Sequence, residues 1–491
     1  MRLADRNIDK ANYKGEYTAL GYRSATIARR EGRTPQRLSG EAHQLYDRIE
    51  LIGQSRMFMM DNAIYKGLIE RAVSYIVGDG FTIQSKCVNK DTRLLVEKRW
   101  KAFWKKPEIT NTMSGTDCEK MTSREVLTCG DTGTLKTTQN KIQLFEAEQI
   151  TKSELGDIGI DRDAYGRPVA FYVGGYKKYG YIDKRTIKPY TPQQFLFIST
   201  PERPSCIRCV PPCQASFPMF HRIDDVCDSE AIAWQLLARL ALSQTQEHGR
   251  EVAFAESKED DESNKEFKTR ITELDYALIF HGKPGEEIKG IERNIPGKDF
   301  SASLRMFLRL AGLPIGLPLE IILLDWTQSN YSQSRAVLLQ AFLAFLGWQD
   351  KNADFFLSPI FEWQVINDIV DGIYKDLDQT GILEHDWIKP AFPWIDQLKE
   401  ALAWCAKLNQ GLSLHATVLK SLGEEREDFN NERQKEIEDA IDRSKAIKEK
   451  HGVEVPWQIF AGLLSPDMEK INTSLLHDMA NADEKIPKGA K

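Results

Sequence analysis

Cysteine is sparse in this chain. Eight are scattered through 491 residues, too irregularly for a disulfide framework, so a reducing compartment is the expected setting. A secretory leader is also missing: residues 1–37 hold nine Lys/Arg and no apolar core. Long hydrophobic runs are nearly absent. The one stretch of membrane length, residues 306–324, is interrupted by Arg309, Pro314, Pro318 and Glu320, which argues against a span. Excess positive charge is lacking too. Lys and Arg number 66 against 72 Asp and Glu, a net charge of −6 that speaks against tight, sequence-independent grip on DNA. Catalytic signatures fail as well. Gly297 and Lys298 lack the upstream glycine and the Ser/Thr of a phosphate loop, and neither a nucleophile elbow nor a His-Glu-x-x-His helix occurs. Triads assemble in space, so this excludes only motif-bearing classes, ATP-driven motors first.

The sequence is that of an ordinary globular protein, 41% apolar and 28% charged, too long for a single core. Residues 1–50 read as an arm, with Arg29, Arg30, Arg33 and Arg37 around Gly32 and Pro35; a loose terminus and a contact segment both fit. An apolar-periodic helix is expected from Met57 to Val77, ended by Gly78 and Gly80, with a strand at Thr82–Ile83. Lys98 to Lys106 interleaves cations with Trp100, Phe103 and Trp104. That pattern suits a nucleic-acid platform, but the aromatics share a face with Val96, so an amphipathic helix stopped by Pro107 is the plainer reading. Residues 125–200 are strand-rich, with a hairpin turn across Lys136 to Ile142. A long helix is expected from Ser216 to His248, and a charge-dense loop over 256–268 before a strand at Tyr276–Phe280. Helices are also expected over residues 396–410 and 424–449.

Two places invite a functional reading. Cys206, Cys209 and Cys213, with His221 and Cys227 downstream, have donors that hold zinc elsewhere, yet only one paired knuckle is present. The second is the block from Phe307 to Gln349. An apolar helix leads into Gly312, Pro314, Gly316 and Pro318, then Asp325, Trp326, Thr327, Gln328, Ser329 and Asn330, and a second helix restarts at Ser332 or Ser334. Its apolar positions Val337, Leu338, Ala341, Phe342, Phe345 and Leu346 share one face. A glycine–proline hinge between two helices suits a moving loop. A tightly packed connection is the alternative.

That block resembles the portal proteins of lambda-like tailed bacteriophages, and further stretches agree in order. Leu127 to Gly133 with Ile142 to Ile150 resemble the family's paired strands, and Gly159–Ile160 with Asp163 to Val173 its next hairpin. Arg203, Pro204, Arg208 and Val210 match the turn into a long helix; Pro284–Glu286 and Pro296–Phe300 precede the hinge; Trp394 to Ala401 resembles the C-terminal helical segment. The likeness covers about residues 50 to 445. It implies a helix-rich, multidomain α+β portal fold of wing, stem, clip and crown, closing as a cyclic ring of twelve. The implied division is an arm (1–50), wing (51–215), first stem helix (216–248), clip (249–299), second stem helix (300–313), tunnel loop (314–330), long wing helix (331–375), crown (376–450) and tail (451–491).

The resemblance further implies a structural protein, with no catalytic residue, metal or cofactor, forming the channel by which double-stranded DNA enters and leaves a capsid. Asp325, Trp326, Thr327, Gln328, Ser329 and Asn330 would face DNA. Lys283, Glu286 and Glu287 of the clip would meet partners. Those partners are the large terminase subunit, head–tail connector or adaptor proteins, and the major capsid protein, but no membrane. The expected location is the virion's portal vertex, after assembly in the host cytoplasm. Two rival readings are a metal-dependent hydrolase using Cys206 to Cys227 and an oligomeric membrane pore around residues 306–324.

Overall fold

The computed structural model describes residues 39–41, 47–153, 158–178, 180–239, 242–244, 270–274, 277–281, 300–324, 331–392, 397–423, 425–451 and 455–461. The fold is a mixed, helix-rich α+β one built on two large hydrophobic cores.

Helix α1 (Arg48–Asp61) and helix α2 (Ala63–Val77) are separate, where the apolar periodicity alone predicts one helix. Asn62 makes the break. Its backbone is extended, its Oδ1 accepts from the Tyr65 amide at 2.8 Å, and its amide donates to Asp224 at 3.0 Å. A side chain that caps one helix and ties a second cannot also continue the first. Along α2, Tyr65, Leu68, Ile69, Ala72, Val73, Ile76 and Val77 form the buried stripe. After Gly78, β1 (Thr82–Ser85) pairs antiparallel with β11 (His385–Ile388), joining distant parts of the chain.

Asn89 caps helix α3 (Lys90–Trp104) by accepting from the Asp91 and Thr92 amides. Ser114 and Asp117 close a capping box on α4 (Gly115–Cys129), which ends at Gly130 in the left-handed region, φ 86°. Leu127–Cys129 therefore belong to a helix, not to the strand that the resemblance suggests. Glycine is required at 130, since a Cβ would lie 2.3 Å from the Val210 carbonyl oxygen. Strands β2 (Asp131–Lys136), β3 (Ile142–Phe145) and β7 (Phe195–Ser199) form one antiparallel sheet in the order β3-β2-β7. Its hairpin turn falls where expected, between Lys136 and Ile142. Strands β4 (Ile160–Arg162), β5 (Pro168–Val173) and β6 (Lys188–Tyr190) form a second sheet in that order. A small core of Leu135, Ile150, Ile160, Phe171, Val173 and Phe195 joins the two.

Helix α5 (Phe217–Arg239) stops nine residues short of the expected end at His248. Leu242–Gln244 instead form strand β8, parallel to β10 (Ala277–His281), which pairs antiparallel with β9 (Arg270–Leu274). Helix α6 (Phe300–Gly312) packs against α5 through Ile223, Leu304, Phe307 and Leu308. A short helix α7 (Leu319–Leu323) precedes α8 (Tyr331–Asn352), which runs through a π-helical turn at Ala353–Leu357 into α9 (Ser358–Val370). Pro359 has no N–H for the carbonyl one turn back, and the helix widens there instead of breaking. Helices α10 (Gln397–Asn409), α11 (His415–Ser421), α12 (Arg426–His451) and α13 (Trp457–Phe460) complete the described residues.

Candidate functional site

The glycine–proline block is a packed corner. From α6 the chain enters a 3-10 turn at Leu313–Ile315, and Gly316 takes φ 74°. The Leu317 amide donates back to the Gly312 carbonyl at 3.0 Å. A Cβ at Gly312 would meet the Leu317 carbonyl oxygen at 2.1 Å, and one at Gly316 would meet the Ala344 Cβ of α8 at 2.7 Å. Both glycines therefore permit close approach. Ala311, Ile315, Leu317, Ile321 and Ile322 enter one core with Leu338, Ala341 and Phe345 of α8 and with the buried stripe of α2. Helix α7 ends at Leu324, a non-glycine residue at φ 53° with its side chain exposed. Such a conformation is unusual for a branched residue. Asp325, Trp326, Thr327, Gln328, Ser329 and Asn330 lie outside the described residues, as do Lys283, Glu286 and Glu287.

The basic–aromatic segment is an amphipathic helix. Trp100 is buried and stacks on Trp104 at 4.5 Å, and the Trp104 Nε1–H donates to Glu119 at 2.9 Å. The cysteines do not assemble a metal site. Cys206, Cys209 and Cys213 are each buried, and no set of three donors drawn from them, His221 and Cys227 converges among the described residues. Burial, with Asp131 adjacent, pushes the Cys209 thiol up to about 12; burial alone does the same for Cys213. Neutral buried thiols are inert. One group with metal-like geometry does occur, Glu125, Cys129 and Glu148. The Arg56 guanidinium fills it, with Nη1 2.8 Å from Glu125 and Nη2 2.9 Å from Glu148.

Beneath this lies a buried ionic hub that sequence reasoning missed. Asp131, at the start of β2, accepts from Arg208 Nε at 2.9 Å, Arg208 Nη2 at 2.8 Å and the Cys209 amide at 2.9 Å, with Arg48 Nη2 at 3.3 Å. Arg208 also donates to the carbonyls of Ala147, Ile150 and Ile158. Burial would raise the Asp131 carboxyl, but Arg208 and Arg48 outweigh it and hold it below the ordinary carboxylate range. The available signal was one acid and one arginine, each inside a family-like motif. Glu119 is the opposite case. Burial pushes its carboxyl up to about 8, although Trp104 and the Phe81 amide pull it down.

The corner, hub and helix pair are packed structural joints, and no three-donor metal group drawn from the cysteine cluster converges among the described residues. The family model for phage portal proteins of the lambda family matches residues 27–349. The chain belongs to that family. No curated protein matches. Among solved structures, a chain in the neck of an empty GTA particle computed with C6 symmetry is 12% identical, with 77% of this chain and 94% of that one covered and a TM-score of 0.43. A chain in the neck of a native GTA particle computed with C12 symmetry is 12% identical over 81% and 98%, TM-score 0.41. A chain from the virion of a native gene transfer agent particle is 12% identical over 73% and 98%, TM-score 0.35. No helix among the described residues is long and apolar enough to cross a membrane, and neither the hydrolase nor the pore reading has support.

Proposed function

We propose that this chain closes with copies of itself into a ring, twelve in the particle, that forms the DNA channel at one capsid vertex. Family membership across residues 27–349, which takes in the hinge, carries the reading. The surface supports it: Ile232, Trp234, Met306, Leu339 and Leu343 are large apolar side chains left exposed on α5, α6 and α8. Leu339 and Leu343 lie one turn apart, and Ala336 and Gly347 continue their face. Head-to-tail contacts between identical copies cover such faces and close into rings.

In this reading residues 51–215 are the wing, held by the major capsid protein. The helices around 216–248 and 300–313 are the stem, and 249–299 the clip, whose Lys283, Glu286 and Glu287 meet the large terminase subunit and then the head–tail connector proteins. Residues 376–450 form the crown. The protein catalyses nothing; it is assembled in the host cytoplasm and resides in the virion. Within the tunnel loop, 314–330, the uncharged Gln328, Ser329 and Asn330 touch passing phosphates without holding them, and the acidic net charge keeps the wall from gripping the duplex. Imaging of the purified full chain should give rings with a central hole, and a monomer at every concentration would defeat the proposal. Deleting Thr327 to Asn330 should leave rings intact and reduce retention of packaged DNA; fully retained DNA would remove the loop's role.

A further inference from the structure

The segment from residue 174 to 190 is a basic island in an acidic protein, with Lys177, Lys178, Lys184, Arg185 and Lys188 against Asp183 alone. Its shape is fixed by its own backbone. The Asp183 amide donates to the Gly175 carbonyl at 2.8 Å, the Gly175 amide to Thr186 Oγ1 at 2.7 Å, and the Lys177 amide to the Tyr181 carbonyl at 2.6 Å. Gly174, tight against Ile182 and Ile187, lets the island fold back onto β5. The result is a cleft of about 390 Å³ between β3 and the edge strand β6.

The lining is mostly polar: Arg185 and Lys188 give it charge, and Phe145 and Tyr190 add a smaller apolar patch. Both cations are exposed, and neither has an ion pair among the described residues. Glu146, which follows Phe145, turns its carboxylate to the Tyr176 hydroxyl instead of toward them. A cleft that pairs two exposed cations with a small apolar patch suits a ligand of opposite charge that carries one group to bury.

We infer that this cleft docks an extended acidic segment of a neighbouring particle protein, seating one apolar or aromatic side chain against Phe145 and Tyr190 while flanking carboxylates meet Arg185 and Lys188. The inference rests on the wing reading of residues 51–215 and supplies the chemistry of what the wing meets. Double-stranded DNA fits less well. A stiff duplex would rest on the rim and leave the Phe145–Tyr190 patch in water.

Fluorescence anisotropy on the purified full chain tests this with a labelled synthetic peptide, one phenylalanine flanked on each side by three glutamates. A lysine-flanked copy and a short DNA duplex serve as comparison probes. The acidic peptide should bind, and the Arg185→Ala/Lys188→Ala variant should bind at least about tenfold more weakly because two charge pairs are lost. Tyr190→Ser should weaken binding at unchanged salt dependence, and raised salt should weaken wild-type binding. The altered cations are exposed, so the double variant's thermal unfolding should match wild type. No binding of the acidic peptide, or undiminished binding by the double variant, overturns the inference. Tighter binding of the duplex with the same dependence on Arg185 and Lys188 also overturns it, in favour of a phosphate-facing patch. Particle images of the same samples separate the two readings: rings without peptide binding sink this inference alone, and binding without rings sinks the ring.

Discussion

Replacing Asp131 by alanine should be among the most damaging single changes to the part of the fold that β2 organises. The carboxylate is fully buried and is the shared anion of two guanidiniums. Without it, Arg208 keeps three carbonyl partners, while Arg48 keeps the Cys209 carbonyl at 3.1 Å. Two buried cations would then repel each other with nothing between them. Breaking a buried pair by removing one member costs about 3–5 kcal/mol, a large share of the roughly 5–15 kcal/mol that holds a typical domain folded. Asp131→Asn keeps the shape and one acceptor, so it should cost less than alanine. The sign of the pH dependence follows from the depressed carboxyl. Its contribution is present above the unfolded-state value of 3.8 and is lost as pH falls through the lower folded value, so the gap between wild type and variant should close in acid. Hydrogen exchange over β2 reads the local opening free energy and avoids assuming one transition for a multidomain chain. Adding Arg48→Met to the alanine variant removes the worse-placed cation and should restore part of the loss. A cost under about 1 kcal/mol, or a double variant less stable than the single one, would refute the hub as an ionic device.

Glu119 should give the reverse pH trend. Its protonated folded form is favoured from the ordinary 4.5 up to about 8, so wild-type stability should fall as pH rises across that window and level off above it. Each pH unit is worth at most about 1.4 kcal/mol for one proton. Glu119→Gln should abolish the slope in urea titrations at stepped pH, and an unchanged slope would assign it elsewhere. Gly312→Ala would force a methyl to within 2.1 Å of the Leu317 carbonyl oxygen and should destabilise the corner by about 1–3 kcal/mol, seen as faster exchange across residues 317–323. Wild-type exchange there would show that the corner has slack.

Much of the local structure was legible because its causes are local. The hairpin at Lys136–Ile142 follows from turn residues between strand formers, with Asn140 at φ 55°. The Trp100–Trp104 helix follows from one apolar face and a proline stop. What escaped detection depends on distant partners. Nothing near Leu242 says strand; β8 exists because Ile279–His281 lie alongside. Nothing near Asn62 says break except a cap whose second ligand, Asp224, is 162 residues away. The ionic hub joins residues 48, 131 and 208, and opposite charges so far apart in sequence announce no partnership.

The hinge shows most clearly how a correct motif can carry the wrong mechanics. Glycine and proline suggest mobility when read alone, because each alters backbone freedom. Here Gly312 and Gly316 are glycine because a carbonyl oxygen and the Ala344 methyl occupy the space of a side chain, and close packing opposes motion. Leu317, Ile321 and Ile322 on one side and Leu338, Ala341 and Phe345 on the other enter the same core as α2, so both ends of the six residues Asp325 to Asn330 are bolted to one body. Six residues can span at most about 20 Å. Anchors this close together and packed into one core hold the corner in place, which under the proposed channel reading lets a ring keep its register around a passing polymer.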